Sequence, residues 1–189
     1  MKAILVIVLG LFLLTPKLKA QEVQITTGVG YLFFGDGDFP GINYFKSLQF
    51  PVLGPLDLKI GLQIAHAADT VIDILRWPYN VFNFGNSLNL VITPVKTNFF
   101  SLALSVGGNW RYRSEIITTG IFVTTLADGT TRERLTKDYI CSYDFGYNVD
   151  ITGLFRLTER IKIGVLGKFF GYTKGSSFYS INFALNYRL

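Results

Sequence analysis

Cysteine, histidine and charge are the scarce components of this chain. Among its 189 residues there is one cysteine, Cys141, and one histidine, His66, and Asp, Glu, Lys and Arg together make up only 16%. A single cysteine excludes an internal disulfide framework, so stability has to come from packing and strand pairing. With one histidine, no cysteine pair and no carboxylates clustered at ligand spacing, the sequence argues against a metal site, and it shows no cofactor motif. The charge fraction lies well below the roughly 25% of an average soluble domain. Hydrophobic residues reach 49% and aromatics 15%, with a mean hydropathy of +0.35. Yet beyond the first 20 residues no segment stays apolar for 18 residues, which excludes helical membrane spans.

The first 20 residues, MKAILVIVLGLFLLTPKLKA, combine Lys2, an apolar run from Ala3 to Leu14 and a segment ending at Ala20. This is the layout of a secretory signal peptide, and the run is shorter than the roughly 20 residues of a membrane helix. The expected organisation is therefore a leader over 1–20 and one domain over 21–189. The leader carries three lysines and no acid, so the remainder has 15 basic against 13 acidic residues. That balance leaves a nucleic-acid partner no basic surface to rest on.

What the chain does have is alternation. LDLKIGLQIAH (56–66) sets Leu56, Leu58, Ile60, Leu62 and Ile64 against Asp57, Lys59, Gly61 and Gln63. FYSINFALNYRL (178–189) sets Tyr179, Ile181, Phe183 and Leu185 against Ser180, Asn182, Ala184 and Asn186. Such a period of two belongs to strands. It recurs over 22–34, 41–50, 81–92, 98–113, 139–153 and 160–172, giving eight strands. Lys46 blurs the second by falling on its apolar parity, and Leu166 and Phe170 blur the seventh. Short connections at 51–55, 94–98 and 156–160 alternate with longer or irregular ones at 35–41, 67–80, 114–137 and 174–177. Three turns at one end and four at the other are what eight up-and-down strands require. The fold class is all-β, an eight-stranded antiparallel up-and-down barrel.

Alternation does not say which face is inside. A soluble lipocalin-like carrier turns its apolar face inward around a ligand, and a transmembrane barrel turns it outward. Three features favour the membrane. The polar face is rich in Gly, Ser, Ala and Asn, which suits the narrow interior of eight strands. The strands are long enough to cross a bilayer when tilted. The aromatics fall into two belts, as at the two bilayer interfaces. Tyr31, Phe33, Trp77, Tyr79, Trp110, Tyr112, Tyr139, Tyr143 and Tyr179 lie toward the longer connections, and Phe50, Phe99, Phe100, Phe155 and Tyr187 toward the short turns.

With its leader, eight alternating strands, RLTER turn and final strand INFALNYRL, the chain resembles the small outer-membrane β-barrel proteins of the OmpA/OmpX class over residues 22–189. The resemblance implies a bilayer with lipopolysaccharide as the surroundings. It also implies recognition of the last strand by the outer-membrane assembly machinery, usually through a terminal aromatic. Here Leu189 ends the strand and Tyr187 stands two residues earlier.

The polar parity carries Asp57, Lys59, Arg111, Arg113, Asp144, Asp150, Lys162, Lys168 and Arg188. Strands five, six and seven are neighbours in such a barrel. The expectation is a structural network of lumen charges, with Asp144 and Asp150 between Arg111 or Arg113 and Lys162 or Lys168. The alternative use of these charges is a small pore. His66 lies on the lipid parity at the loop end of strand three. Lipid A deacylases of this fold resemble that placement, but they need a His-x-Ser pair, and Ala67 and Ala68 follow here. A lipid A-modifying enzyme is thus a second alternative, lacking its nucleophile, and no catalytic residue is assigned. Gly28-Val29-Gly30 reads as a place of close approach within a strand. DTVIDILRW (69–77) reads as a short interfacial helix capped by Asp69. In 114–137, Asp128-Gly129 between two extended halves predicts a hairpin above the membrane, open to a surface protein partner. The functional expectation is a structural or surface-interaction role through such loops.

Overall fold

The computed structural model describes residues 23–35, 39–72, 76–173 and 177–189. The leader and parts of the connections at 35–41, 67–80 and 174–177 lie outside the described residues. Eight strands follow in order: β1 (Gln24–Phe34), β2 (Phe39–Leu53), β3 (Leu56–Ile72), β4 (Arg76–Lys96), β5 (Phe100–Thr125), β6 (Thr131–Arg156), β7 (Ile161–Tyr172) and β8 (Phe178–Arg188). Each pairs antiparallel with the next, and β8 closes on β1.

The register sets the dimensions. From Gln24, lateral partners run through Gln49, Lys59, Asn89, Gly107, Asn148, Phe170 and Phe178, and return to β1 at Phe34, ten residues further along. A stagger of ten over eight strands fixes a tilt of roughly 40° and a backbone radius of roughly 8 Å. Only side chains fit inside such a ring.

The two faces differ as the alternation requires. Asn43, Asn83, Asn89, Asn148, Ser180 and Asn182 are buried inside, whereas Val29, Leu48, Leu90, Val106, Ile181 and Phe183 stand exposed on the outer wall. An apolar exterior around a polar, filled interior is the reverse of a soluble carrier. It is the arrangement of a membrane-spanning barrel, in which ring closure satisfies the strand edges within the wall without water.

The two blurred strands resolve into lumen packing. Phe45 points inward, and Lys46 stands on the outer wall beside Tyr44 and Leu48. Gly28 makes the seat for Phe45, because a Cβ there would meet the Phe45 ring at 2.5 Å and the Phe183 carbonyl at 2.2 Å. Leu166 packs inside with Phe45, Leu154 and Ala184. Phe170 packs higher up with Leu32, Phe34, Ala65, Ala67, Val81 and Phe178.

The strands do not end together. At the short-turn end, β-bulges at Pro51/Leu53 and Ile92/Val95 trim the register before the turns. At the other end the expected helix over 69–77 gives way to sheet, since Asp69–Ile72 continue β3 and Arg76 and Trp77 open β4. The alternating partners of β4 extend the ladder, and that continuous pairing outweighs the local helical spacing of Val71, Ile72 and Leu75. Segment 114–137 is likewise strand on both sides, closed by a turn over 126–130 in which Gly129 has φ +82°. Only a left-handed residue closes this turn, which explains the glycine.

Candidate functional site

Two places gather polar chemistry: the lumen, and the sheet that rises above the barrel. The lumen charges form tiers, each held by a strand pair. In the middle tier Asp150 of β6 stands directly opposite Ser105 of β5 and Lys168 of β7. Its Oδ2 accepts from Lys59 Nζ at 2.5 Å, Ser105 Oγ at 3.0 Å and Asn89 Nδ2 at 3.3 Å, and Oδ1 accepts from Asn148 at 3.2 Å. Lys59 reaches across the lumen from β3 and also donates to Ser105 at 2.8 Å. Lys168 places its ammonium 4.4 Å from the Phe45 ring centroid and 5.7 Å from that of Phe170. A buried carboxylate with this many donors is the arrangement that makes its desolvation tolerable.

In the upper tier Arg111 and Asp144 are lateral partners, and both side chains are fully buried. Nε and a terminal nitrogen of Arg111 donate to one carboxylate oxygen at 3.3 and 3.0 Å. The Tyr172 ring caps the guanidinium, with its centroid 3.6 Å from Cζ, a cation–π contact strengthened by burial. Arg113 does not join Asp144. It pairs with Glu115 two residues along the same face of β5, because Arg111 already occupies the lateral position beside Asp144. At the foot, Asp57 accepts from Gln49 at 2.7 Å, Lys162 donates weakly to Ser101 at 3.5 Å, and Arg188 lies exposed at the mouth. Lys162 sits six residues below Lys168 on β7 and so does not approach Asp150.

The structure thus brings together Arg111 with Asp144, and Asp150 with Lys59 and Lys168. Arg113 pairs with Glu115 beside the upper tier, and Lys162, Asp57 and Arg188 lie at the foot. Sequence reasoning missed Glu115, Tyr172 and Phe45. Glu115 shares the odd parity of Arg111 and Arg113, so extending strand five by two residues would have revealed it; Tyr172 lay within the expected strand 160–172, on the even parity of Lys168 and Phe170, and that parity was the signal for it.

The outer belt is partly as the aromatics suggest. Trp110 and Tyr143 stack with centroids 5.8 Å apart, Tyr112 joins them at 5.2 Å from Tyr143, and Tyr179 stacks on Phe33 at 5.3 Å. Tyr139 points outward but stands four residues beyond Tyr143 on β6, above this belt. The side chains of Trp77 and Tyr79 lie outside the described residues.

His66 lies on the outer wall, with Nε2 3.0 Å from Asn80 Oδ1. Ala67 and Ala68 follow it, and Ala68 stands where a His-x-Ser pair has its hydroxyl. Inside the lumen the Phe45 cluster packs below the Lys168 tier and the Phe170 cluster above it.

The second place is the raised sheet. β6 pairs with β7 only from Gly146 down, and β3 pairs with β2 only up to Ala67. Above those points β3, β4, β5 and β6 continue alone, and β5 and β6 continue furthest, to the Thr125–Thr131 pair. The ribbon beyond Tyr112 is about 40 Å long at strand rise. Its tip is ordered by Asp128, whose carboxylate accepts from the Thr130 hydroxyl at 2.6 Å and the Thr130 amide at 2.9 Å. Those two bonds hold the Asp128 carboxyl below its ordinary pKa.

No family model and no curated protein sequence matches the chain. Solved structures do. A major outer membrane protein of Thermus thermophilus is similar with a TM-score of 0.57 at 13% identity, covering 88% of this chain and 99% of its own. Ail, the attachment invasion locus protein of Yersinia pestis, gives 0.55 at 9% identity, covering 88% and 97%. Neisserial surface protein A gives 0.52 at 9%, covering 88% and 96%. At such identities the likeness is one of fold, and with strand number, pairing order and outward apolar wall it leads to one conclusion: the chain has the fold of the small eight-stranded outer-membrane β-barrel proteins, the OmpA/OmpX-like class.

Proposed function

We propose that this protein is an outer-membrane barrel that presents its raised sheet for surface interaction. The plugged lumen serves as a rigid foundation and performs no catalysis. The observation that carries this reading is the unpaired flank of β6. From Thr131 to Asp144 it has no β7 partner among the described residues, so its backbone donors and acceptors are open to an added strand. Arg132, Arg134, Lys137 and Asp138 on that flank are exposed, which discourages indiscriminate pairing and favours a partner of matching charge. A fold neighbour named for attachment and invasion, crystallised with the heparin analogue sucrose octasulfate, and another named a surface protein are in keeping with this role.

In the same proposal, residues 1–20 direct export and are removed, the assembly machinery reads the strand ending at Tyr187 and Leu189, and the surrounding leaflet supplies lipopolysaccharide. The lumen charges and their aromatic caps act structurally. Deleting 117–134 tests the role. The shortened barrel is expected to insert into membranes and keep its heat-modifiable gel migration while losing adhesion to host or neighbouring cell surfaces. Adhesion equal to that of the intact protein would overturn the reading.

A further inference from the structure

The short-turn mouth holds a second, unassigned site. A cavity of about 260 Å³ opens there, ringed by Lys96, Arg156, Arg160, Lys162 and Arg188. Only two carboxylates, Asp57 and Glu159, line the same space, and Asp57 is held by Gln49. Among the described residues no carboxylate forms an ion pair with Lys96, Arg156, Arg160 or Lys162. The cavity leads upward into a smaller one of about 70 Å³, and the two share Gln24, Asp57, Lys96 and Lys162. That inner chamber is lined by Lys59, Leu154 and Leu166 at its top, beside the apolar cluster with Phe45. The space is a funnel entered at the end of the barrel.

We propose that this funnel binds a small, multiply charged phosphate-class anion from the aqueous compartment beneath the barrel. Four ordered elements converge their cations there: the ends of β4, β6 and β8 and the β6–β7 turn with the start of β7. Lys96, Arg156, Arg160 and Lys162, set against Asp57 and Glu159, suit an anion of more than one charge. Arginine forks bind phosphate oxygens in pairs, while lysines act as point charges on the same group. The volume lies below the roughly 300–1,000 Å³ of pockets for drug-sized ligands, which limits the occupant to a small anion. The turn is preorganised: the Thr158 hydroxyl accepts from the amides of Arg160 at 3.3 Å and Ile161 at 3.0 Å, fixing the direction in which Arg160 leaves the chain.

The test is isothermal titration of inorganic pyrophosphate into the full-length barrel in zwitterionic nanodiscs. One-to-one binding is expected, at least tenfold weaker in the double variant K96Q/K162Q and tighter in Glu159→Gln. Glu159 lies in an exposed turn, so its variant decides the matter if the double variant does not insert. The proposal is overturned by the absence of saturable binding. It is equally overturned if affinity is the same in wild type and Glu159→Gln. It fails too if the basic residues retain phosphatidylglycerol in mixed nanodiscs while pyrophosphate does not bind, which would assign the mouth to lipid headgroups.

Discussion

The two halves of the ring are built to different lengths and from different side chains. β7, β8, β1 and β2 have 12, 11, 11 and 15 residues, while β3, β4, β5 and β6 have 17, 21, 26 and 26. The first set is close to what a tilted strand needs to cross a bilayer, and the second overshoots it. Inside, the short half supplies most of the rings, Phe34, Phe45, Phe170, Tyr172 and Phe178. The long half supplies Lys59, Arg111, Asp144 and Asp150. Arg111 of the long half is capped by Tyr172 of the short half, while Lys168, the one buried lumen charge that the short half supplies among the described residues, lies against Phe45 and Phe170 of its own half. The difference separates two tasks: minimal strands close the wall, and the excess length of the others is free to leave the membrane.

This division can be broken most severely at Asp150. Asp150→Leu leaves Lys59 and Lys168 buried without their carboxylate, and a loss of about 3–5 kcal/mol is expected, read as a lower midpoint in urea unfolding from lipid vesicles. The double variant R111M/D144L removes a whole pair and is expected to change stability far less. A D150L midpoint equal to wild type would show that the long half's charges are dispensable. The next effect lies on the short half and has the opposite sign. Lys46 stands among lipid-facing side chains, opposite Thr27 and Leu62. Lys46→Leu is expected to stabilise by about 2 kcal/mol, between the midplane and interface costs of a lysine, in the same unfolding assay. A destabilised variant would mean that the ammonium has a partner there. Smallest and most local is Gly129→Ala. The φ of +82° makes it cost about 1 kcal/mol. Amide exchange is expected to quicken around 125–131 while thermal melting of the wall stays unchanged; faster exchange throughout β5 and β6 would couple the tip to the barrel.

How much of this was legible in the sequence depended on distance along the strands. The wall was, because a period of two over ten residues has no competing reading, as in Tyr179 to Leu185. Lateral neighbours such as Arg111 and Asp144 were, because strand order makes five and six adjacent. The cross-lumen reach of Lys59 to Asp150 was not, since no local pattern encodes which strands face each other across a ring of given stagger. The β3–β4 extension was hidden for another reason. Val71, Ile72 and Leu75 carry helical spacing, and only pairing with β4 reveals Asp69–Ile72 as sheet. The partner of Arg113 was hidden because Glu115 lay past the expected end of its strand.

The ten-residue stagger has an evolutionary corollary. Because it is even, the inward parity meets itself where β8 joins β1, and the wall has no seam. A single inserted or deleted residue within any span would invert everything beyond it, turning asparagines to lipid and leucines to the lumen. Heritable length variation is therefore channelled to the hairpin ends, where β5 and β6 can grow or shrink in matched steps without disturbing closure. The barrel acts as a fixed chassis, and the part that rises beyond its wall is also the part most free to drift.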